Sequence, residues 1–194
     1  RMRLPRRRSS AALPSRLARM AAASEPVLGA VPLDEAGGRW AVAAPSGVII
    51  LDEDGIDVRH AWDRINRGTW DARERTFTLE LLDEAEPLVL VVPDRVSTAT
   101  EDGRDGERAV EEKMFALALR QRVNAAIIHH ASATLPDGRR ITASVRRRPD
   151  GVLYSVTDPP VGGGDADREL GLDDIDALTS LEDRVRDAVG LPTT

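Results

Sequence analysis

The stretch AWDRINRGTWDARERTFTL, residues 61–79, contains Trp62 and Trp70, two of only three tryptophans in the chain, eight residues apart and each followed by an aspartate. A propeller built on Trp-Asp pairs needs repeats of about 40 residues, so this spacing excludes one. The stretch reads instead as strand, corner, strand. Trp62 and Ile65 end one strand and form its corner, Asn66-Arg67-Gly68 lies in or near the bend, and Trp70 belongs to the next strand. After it, RTFTLEL alternates Phe77, Leu79 and Leu81 against Thr76, Thr78 and Glu80, the period of two that marks a half-buried strand. Each indole would bury an apolar face and offer its N–H to a carbonyl. Architecture is the first role this gives the two rings, and a binding surface the second.

Upstream the β signal continues. VLGAVPL (27–33) reads as a short strand and DEAGG as a turn, while RWAVAAPSGVIIL (39–51) is rich in strand formers around a bend at Pro45-Ser46-Gly47. DEDG (52–55) is a further turn, and IDVRHAW leads back into the opening stretch. Downstream, LVLVV (88–92) is apolar at every position and reads as a strand buried on both sides, and the polar run 97–108 reads as a loop or linker. In AVEEKMFALALRQRV the period changes: Val110, Met114 and Leu117 make one helical stripe, with Phe115, Leu119 and Val123 beside it. Two Pro-Asp-Gly turns, at 136–138 and 149–151, then separate three β-rich runs, predicting an antiparallel meander. A Pro/Gly/Asp spacer (158–169) precedes a last helix, with Thr179 and Glu182 spaced as a capping box, Leu181, Val185 and Ala188 as its inner stripe, and Gly190 and Pro192 ending it.

Composition narrows the chemistry. With 194 residues the chain has the length for a proper core. It has no cysteine, which excludes disulfides, thiolate metal sites and a cysteine nucleophile. The net charge of −6 is uneven: the first twenty residues hold seven arginines and no acid, so the rest carries −13. A body of that sign does not bind nucleic acid over its whole surface, although local basic patches still could. Arg1 precedes Met2, which reads as the natural start, and Pro14, Arg16 and Arg19 interrupt the only early apolar run. The expectation is a cytoplasmic protein with a disordered basic arm over 1–25, a β unit with its helix over 26–124, and a meander with a C-terminal helix over 125–194, the last two packed as one body.

The order of these elements, with WAVAAPSGVIIL, then a strand ending in AWDRI, then GTWDA, RTFTLEL and a closing helix, resembles the bacterial pleckstrin-homology-like fold over residues 27–123. The W-D…W-D stretch, the helix end RQRVNAAI and the strand ITASVRRRP also look like an uncharacterised actinobacterial protein family. The resemblance implies an α+β protein: a pleckstrin-homology-like antiparallel β unit closed by a helix, followed by a three-stranded β-meander and a C-terminal helix. It brings no activity, because that fold serves lipid binding, peptide binding and scaffolding alike. The lysine-rich loop that lipid sites use has no counterpart in DEAGG.

Candidate chemistry is sparse. His129 and His130 are neighbours that face opposite sides of a strand, and with only His60 besides they give no metal-ligand spacing. Ser46-Gly47 lacks the surroundings of a hydrolase nucleophile, and Gly162-Gly163-Gly164 runs into acids that repel phosphate. The acids at 52–54 and at 173, 174 and 176 fit a hairpin turn and a helix N-terminus. Two basic features remain. Arg139-Arg140 and Arg146-Arg147-Arg148 flank one strand and could gather on one edge of the meander. The arm carries Arg6, Arg7 and Arg8, with Leu13, Leu17 and Met20 among Arg16 and Arg19. Arg6, Arg7, Arg8, Arg146, Arg147 and Arg148 are therefore the candidate anion contacts. An edge strand guarded by charge and a plain disordered tail account for the same residues. The sequence reads as a non-catalytic interaction or scaffold protein with no cofactor and an unidentified protein partner, or a second copy paired through an edge strand. The alternative is a peripheral binder of anionic membrane or nucleic acid.

Overall fold

A computed structural model describes residues 12–23, 25–82, 84–99, 105–161 and 170–193; Arg6, Arg7, Arg8 and the Gly162–Gly164 run lie outside them. It is an α+β protein of antiparallel sheets with a C-terminal helix, and it divides into two compact units, Arg1–Val123 and Asn124–Thr194.

In the first unit, strands β1 (Gly29–Pro32), β2 (Arg39–Ala44), β3 (Gly47–Asp52) and β4 (Gly55–Ala61) form a four-stranded antiparallel meander. The two-residue connection Pro45-Ser46 sets the register of the central hairpin, placing Ala44 opposite Gly47 and Trp40 opposite Leu51. Ser46 donates its hydroxyl to the Glu25 carboxylate, which also accepts the Ser46 N–H at 2.8 Å. Nearly every residue of β2 and β3 is buried, so both faces of this sheet are covered. One cover is a helix that the sequence reading placed inside a disordered arm. Helix α1 (Ser15–Ala21) lays Leu17 and Ala21 on Trp40, Val42, Ala44, Ile49 and Leu51. Leu13, Leu17, Met20 and Ala21 recur at helical spacing, and the exposed Arg16 and Arg19 fall between them. The arm's apolar residues therefore cap a sheet.

A 3-10 turn, Trp62–Arg64, carries the chain to a second antiparallel sheet of β5 (Ile65–Asp71), β6 (Thr76–Leu81) and β7 (Leu88–Val91). The corner is thus at Trp62–Arg64, and Asn66-Arg67-Gly68 lies within β5. Strand β6 buries Phe77, Leu79 and Leu81 as its alternation requires. β7 differs from expectation: it is an edge strand with Leu90 buried and Val89 and Val91 exposed.

The run expected to be a loop forms a hairpin of β8 (Arg95–Ala99) and β9 (Asp105–Ala109). Its cross-strand ion pair joins Arg95 to Glu107 at 2.8 Å, and Val96 is buried. Helix α2 (Lys113–Ala126) then turns Phe115, Ala118, Leu119, Val123 and Ala126 inward. Met114 and Leu117 are exposed, so the inner stripe is the one the sequence reading set second. Phe115 meets Phe77 edge-on at 5.0 Å.

The second unit is the expected meander, β10 (Ile127–Thr134), β11 (Arg140–Arg147) and β12 (Leu153–Asp158), with helix α3 (Leu172–Ala188). The two Pro-Asp-Gly turns are equivalent. Gly138 and Gly151 both have φ +88°, and the aspartates Asp137 and Asp150 accept the N–H two residues on, at 2.9 and 3.0 Å. Only glycine takes that conformation without strain. α3 starts seven residues before the expected Thr179. The Asp174 carboxylate accepts the Gly171 N–H at 3.2 Å, satisfying a donor at the helix start. Leu178, Leu181 and Val185 pack on Ile141, Ala143 and Val145.

Candidate functional site

The two tryptophans divide the roles between them. Trp62 is buried and its indole N–H donates to the Ala44 carbonyl at 2.8 Å, joining the corner to the first sheet. Trp70 is only half-buried. It stands opposite Phe77 in the β5–β6 register, with ring centroids 4.3 Å apart. The aspartates serve the corners. Asp63 is buried in the 3-10 turn, and Asp71 accepts the N–H groups of Arg73 and Glu74 at 2.8 and 3.0 Å, shaping the β5–β6 turn. Arg75 lies 5.6 Å from the Trp70 ring centroid and is fixed by donating to the carbonyls of Val92 and Pro93.

Trp70 forms one wall of a groove of about 500 Å3 between β5 and α2, within the range of ligand sites. Buried Phe77 and Leu119 make its floor, together with Gly68. Gly68 gives Leu119 its room there, since a Cβ at this position would lie 2.9 Å from the Leu119 side chain and force it to shift. The helix wall is Lys113, Ala116, Leu117 and Arg120, spaced i, i+3, i+4 and i+7 and so on one face. Ala116 is small and leaves space, Leu117 is partly exposed, and Met114 beside it is 57% exposed. Lys113 and Arg120 stand at the two ends of this wall. The Lys113 side chain is 83% exposed, with Glu111 at 3.8 Å.

β5 borders the groove and, among the described residues, has a single sheet neighbour, β6. The polar main-chain groups on its other side are not used by that pairing. An apolar, open-sided groove with a cation at each end of its helix wall can hold an extended chain segment.

The arginines singled out in the sequence are dispersed. Arg146 is 2% exposed and its Nε donates to Ser144 Oγ at 3.1 Å, so it does not reach an anion at the surface. Arg147 and Arg148 are exposed, and Arg148 pairs with Asp150 at 2.8 Å. Arg139 and Arg140 sit at the opposite end of β11, roughly 20 Å away at the rise of a strand. Arg139 is engaged by Asp137 and Asp174. The Arg139 backbone N–H and then its guanidinium hold the Asp137 carboxyl below its ordinary range. The five guanidiniums therefore do not form one patch. His129 pairs with Val145 and His130 with Ser144, which puts the two rings on opposite faces. Among the described residues no group of three or more His, Asp or Glu could hold a metal ion. No helix there is long and apolar enough to cross a membrane.

The groove residues were passed over in the sequence because α2 reads as one wide apolar face. The available signal was that it carries two stripes, an inner one through Phe115 and Leu119 and a second through Lys113, Ala116, Leu117 and Arg120. Comparison of the chain with family models, with curated proteins and with solved structures gives no match in any of the three.

Proposed function

We propose that this chain is a non-catalytic interaction protein of the bacterial cytoplasm, and that its first unit is pleckstrin-homology-like and captures an extended segment of a partner protein. The order of a four-stranded meander, a three-stranded meander and, after the β8–β9 pair, a helix supports the fold reading. The observation that carries the function is the β5–α2 groove: an apolar trough lies beside β5, which ends its sheet among the described residues. An extended peptide added to such an edge gains main-chain hydrogen bonds, and its alternate side chains enter the trough. The reading through arginines on an anionic surface has weaker support, since Arg146 is buried and Arg148 is paired.

Selection of a random nine-residue peptide library on the full chain tests the proposal, with Ala116→Trp as the filled-groove variant and melting temperature as the check on its fold. Enriched peptides that bind the parent and not a folded Ala116→Trp support it. Enrichment that survives the substitution, or binding to anionic vesicles or duplex DNA in place of peptides, rejects it.

A further inference from the structure

We infer that two copies of this chain join through β7, antiparallel across a two-fold axis at Leu90, so that their β5–β6–β7 sheets become one. The inference is independent of the groove, because β7 and β5 are opposite ends of the sheet. In an antiparallel pair alternate residues of each strand turn their main-chain groups toward the neighbour, and those between turn away. The Val92 N–H donates to the Arg75 carbonyl at 2.8 Å, so Val92 faces β6. The register runs without a shift from Thr76 opposite Val91 to Leu79 opposite Leu88, so Leu90 and Leu88 face β6 as well. The N–H and C=O groups of Val89 and Val91 therefore point away from the sheet, and among the described residues no hydrogen bond engages them. Their side chains are 52% and 59% exposed, on the face opposite buried Phe77, Leu79 and Leu90. Edge strands are ordinarily guarded by charge, proline or a bulge. Between Pro87 and Pro93 this one has none of these.

The two prolines select the register. Proline has no N–H to give a ladder, and the chain bends on both sides of the strand, at 85–86 and at 94. Val89 and Val91 are thus the outward residues that can both donate and accept. Setting Val89 opposite Val91 of the second copy, and Val91 opposite its Val89, uses all of these groups, each pair exchanging both N–H···O bonds. Sliding the strands by two residues sets a valine opposite Pro87 or Pro93 and loses donors. In the favoured register Pro87 meets Pro93 at each end and closes the ladder. The four valines then stand side by side, flanked by Thr76 and Thr78 of each copy. That strip is uncharged, so two chains of net charge −6 meet there without like charges opposed. A ladder this short buries less than the roughly 1,000 Å2 of a lasting interface, so the dimer forms and dissociates with concentration.

Sedimentation velocity of the full chain over about a hundredfold range of concentration tests this, since self-association follows mass action. The parent is expected to move toward the mass of two chains as concentration rises. Val89→Lys/Val91→Lys sets like charges opposite each other in both pairs and should weaken association at least about tenfold. Val89→Lys/Val91→Glu sets opposite charges against each other in both pairs, and should associate within about threefold of the parent. Both changes are at exposed positions, and melting temperature checks that each variant is folded. A register that sets each valine against its own counterpart would weaken the two variants alike. A parent that stays monomeric throughout, association that Val89→Lys/Val91→Lys leaves intact, or equal weakening by the two variants overturns the inference.

Discussion

Two glycines set how closely strands approach α2, and they differ in what a methyl group would strike. At Gly68 a Cβ meets the Leu119 side chain at 2.9 Å, and at Gly29 it meets the backbone nitrogen of Phe115 at 2.6 Å and the backbone carbon of Met114 at 2.7 Å. A side chain can turn aside, whereas a helix backbone moves only as a unit. Gly68→Ala should therefore lose about 1–3 kcal/mol, as overpacking of a filled interior does, and Gly29→Ala more than that. Urea unfolding of the two variants checks the order; an equal or reversed loss would mean that β1 can retreat from α2. Asp137 offers a second test at this scale. Its carboxyl is held below the ordinary value of 3.8 by the Arg139 N–H first and the Arg139 guanidinium second. A lowered folded pKa contributes stability that is full above the unfolded value and disappears as pH falls through the folded one. The melting-temperature gap between the parent and Asp137→Asn should thus be constant from pH 7 to pH 5 and shrink below 3.8. A gap that persists at the lowest pH at which the protein still melts cooperatively would assign the effect to turn geometry alone.

The elements legible in the sequence are those whose local chemistry is sufficient to specify them. The alternation of TFTLEL and the two Pro-Asp-Gly turns act within a few residues, and the structure places β6 and the β10–β11–β12 hairpins there. Elements specified by distant packing were read differently. Among the described side chains of β8 and β9 Val96 alone is buried, so no period of two shows. β7 is as apolar as a central strand, yet it ends its sheet. The groove was hidden for a related reason: its two stripes share one helix, and only the neighbouring β5 separates the stripe that is filled from the one left open. The continuous apolar runs of β2 and β3 were the clearest unused signal, since a strand buried on both faces needs two covers. α1 is the second cover, and the arginines around it drew attention to charge instead. Leu17 is 2% exposed within that contact. Leu17→Ala should then cost about 2–5 kcal/mol and increase binding of a hydrophobic dye as Trp40 and Ile49 lose their cover. A variant indistinguishable from the parent in urea would mean that α1 lies on the sheet without stabilising it.

At the scale of the whole molecule, the two units each carry an apolar cluster with no member in common. One joins Leu17 and Ala21 to Trp40, Val42 and Ile49; the other joins Leu178, Leu181 and Val185 to Ile141 and Val145. Leu178 is fully buried, so Leu178→Ala should also cost about 2–5 kcal/mol. Because the two leucines share no packing partner, the losses should add to within about 0.5 kcal/mol in the double variant Leu17→Ala/Leu178→Ala. Urea unfolding followed by tryptophan fluorescence and by far-ultraviolet circular dichroism distinguishes two forms of this independence. All three tryptophans, Trp40, Trp62 and Trp70, belong to the first unit, so fluorescence reports that unit alone while dichroism reports both. If the units unfold separately, Leu17→Ala shifts the fluorescence midpoint and Leu178→Ala moves only a dichroism transition. If they unfold together, both probes shift with either substitution and the single losses sum. A double variant departing from that sum by 1 kcal/mol or more, with coincident probes, would show that the two clusters are energetically one core despite having no residue in common.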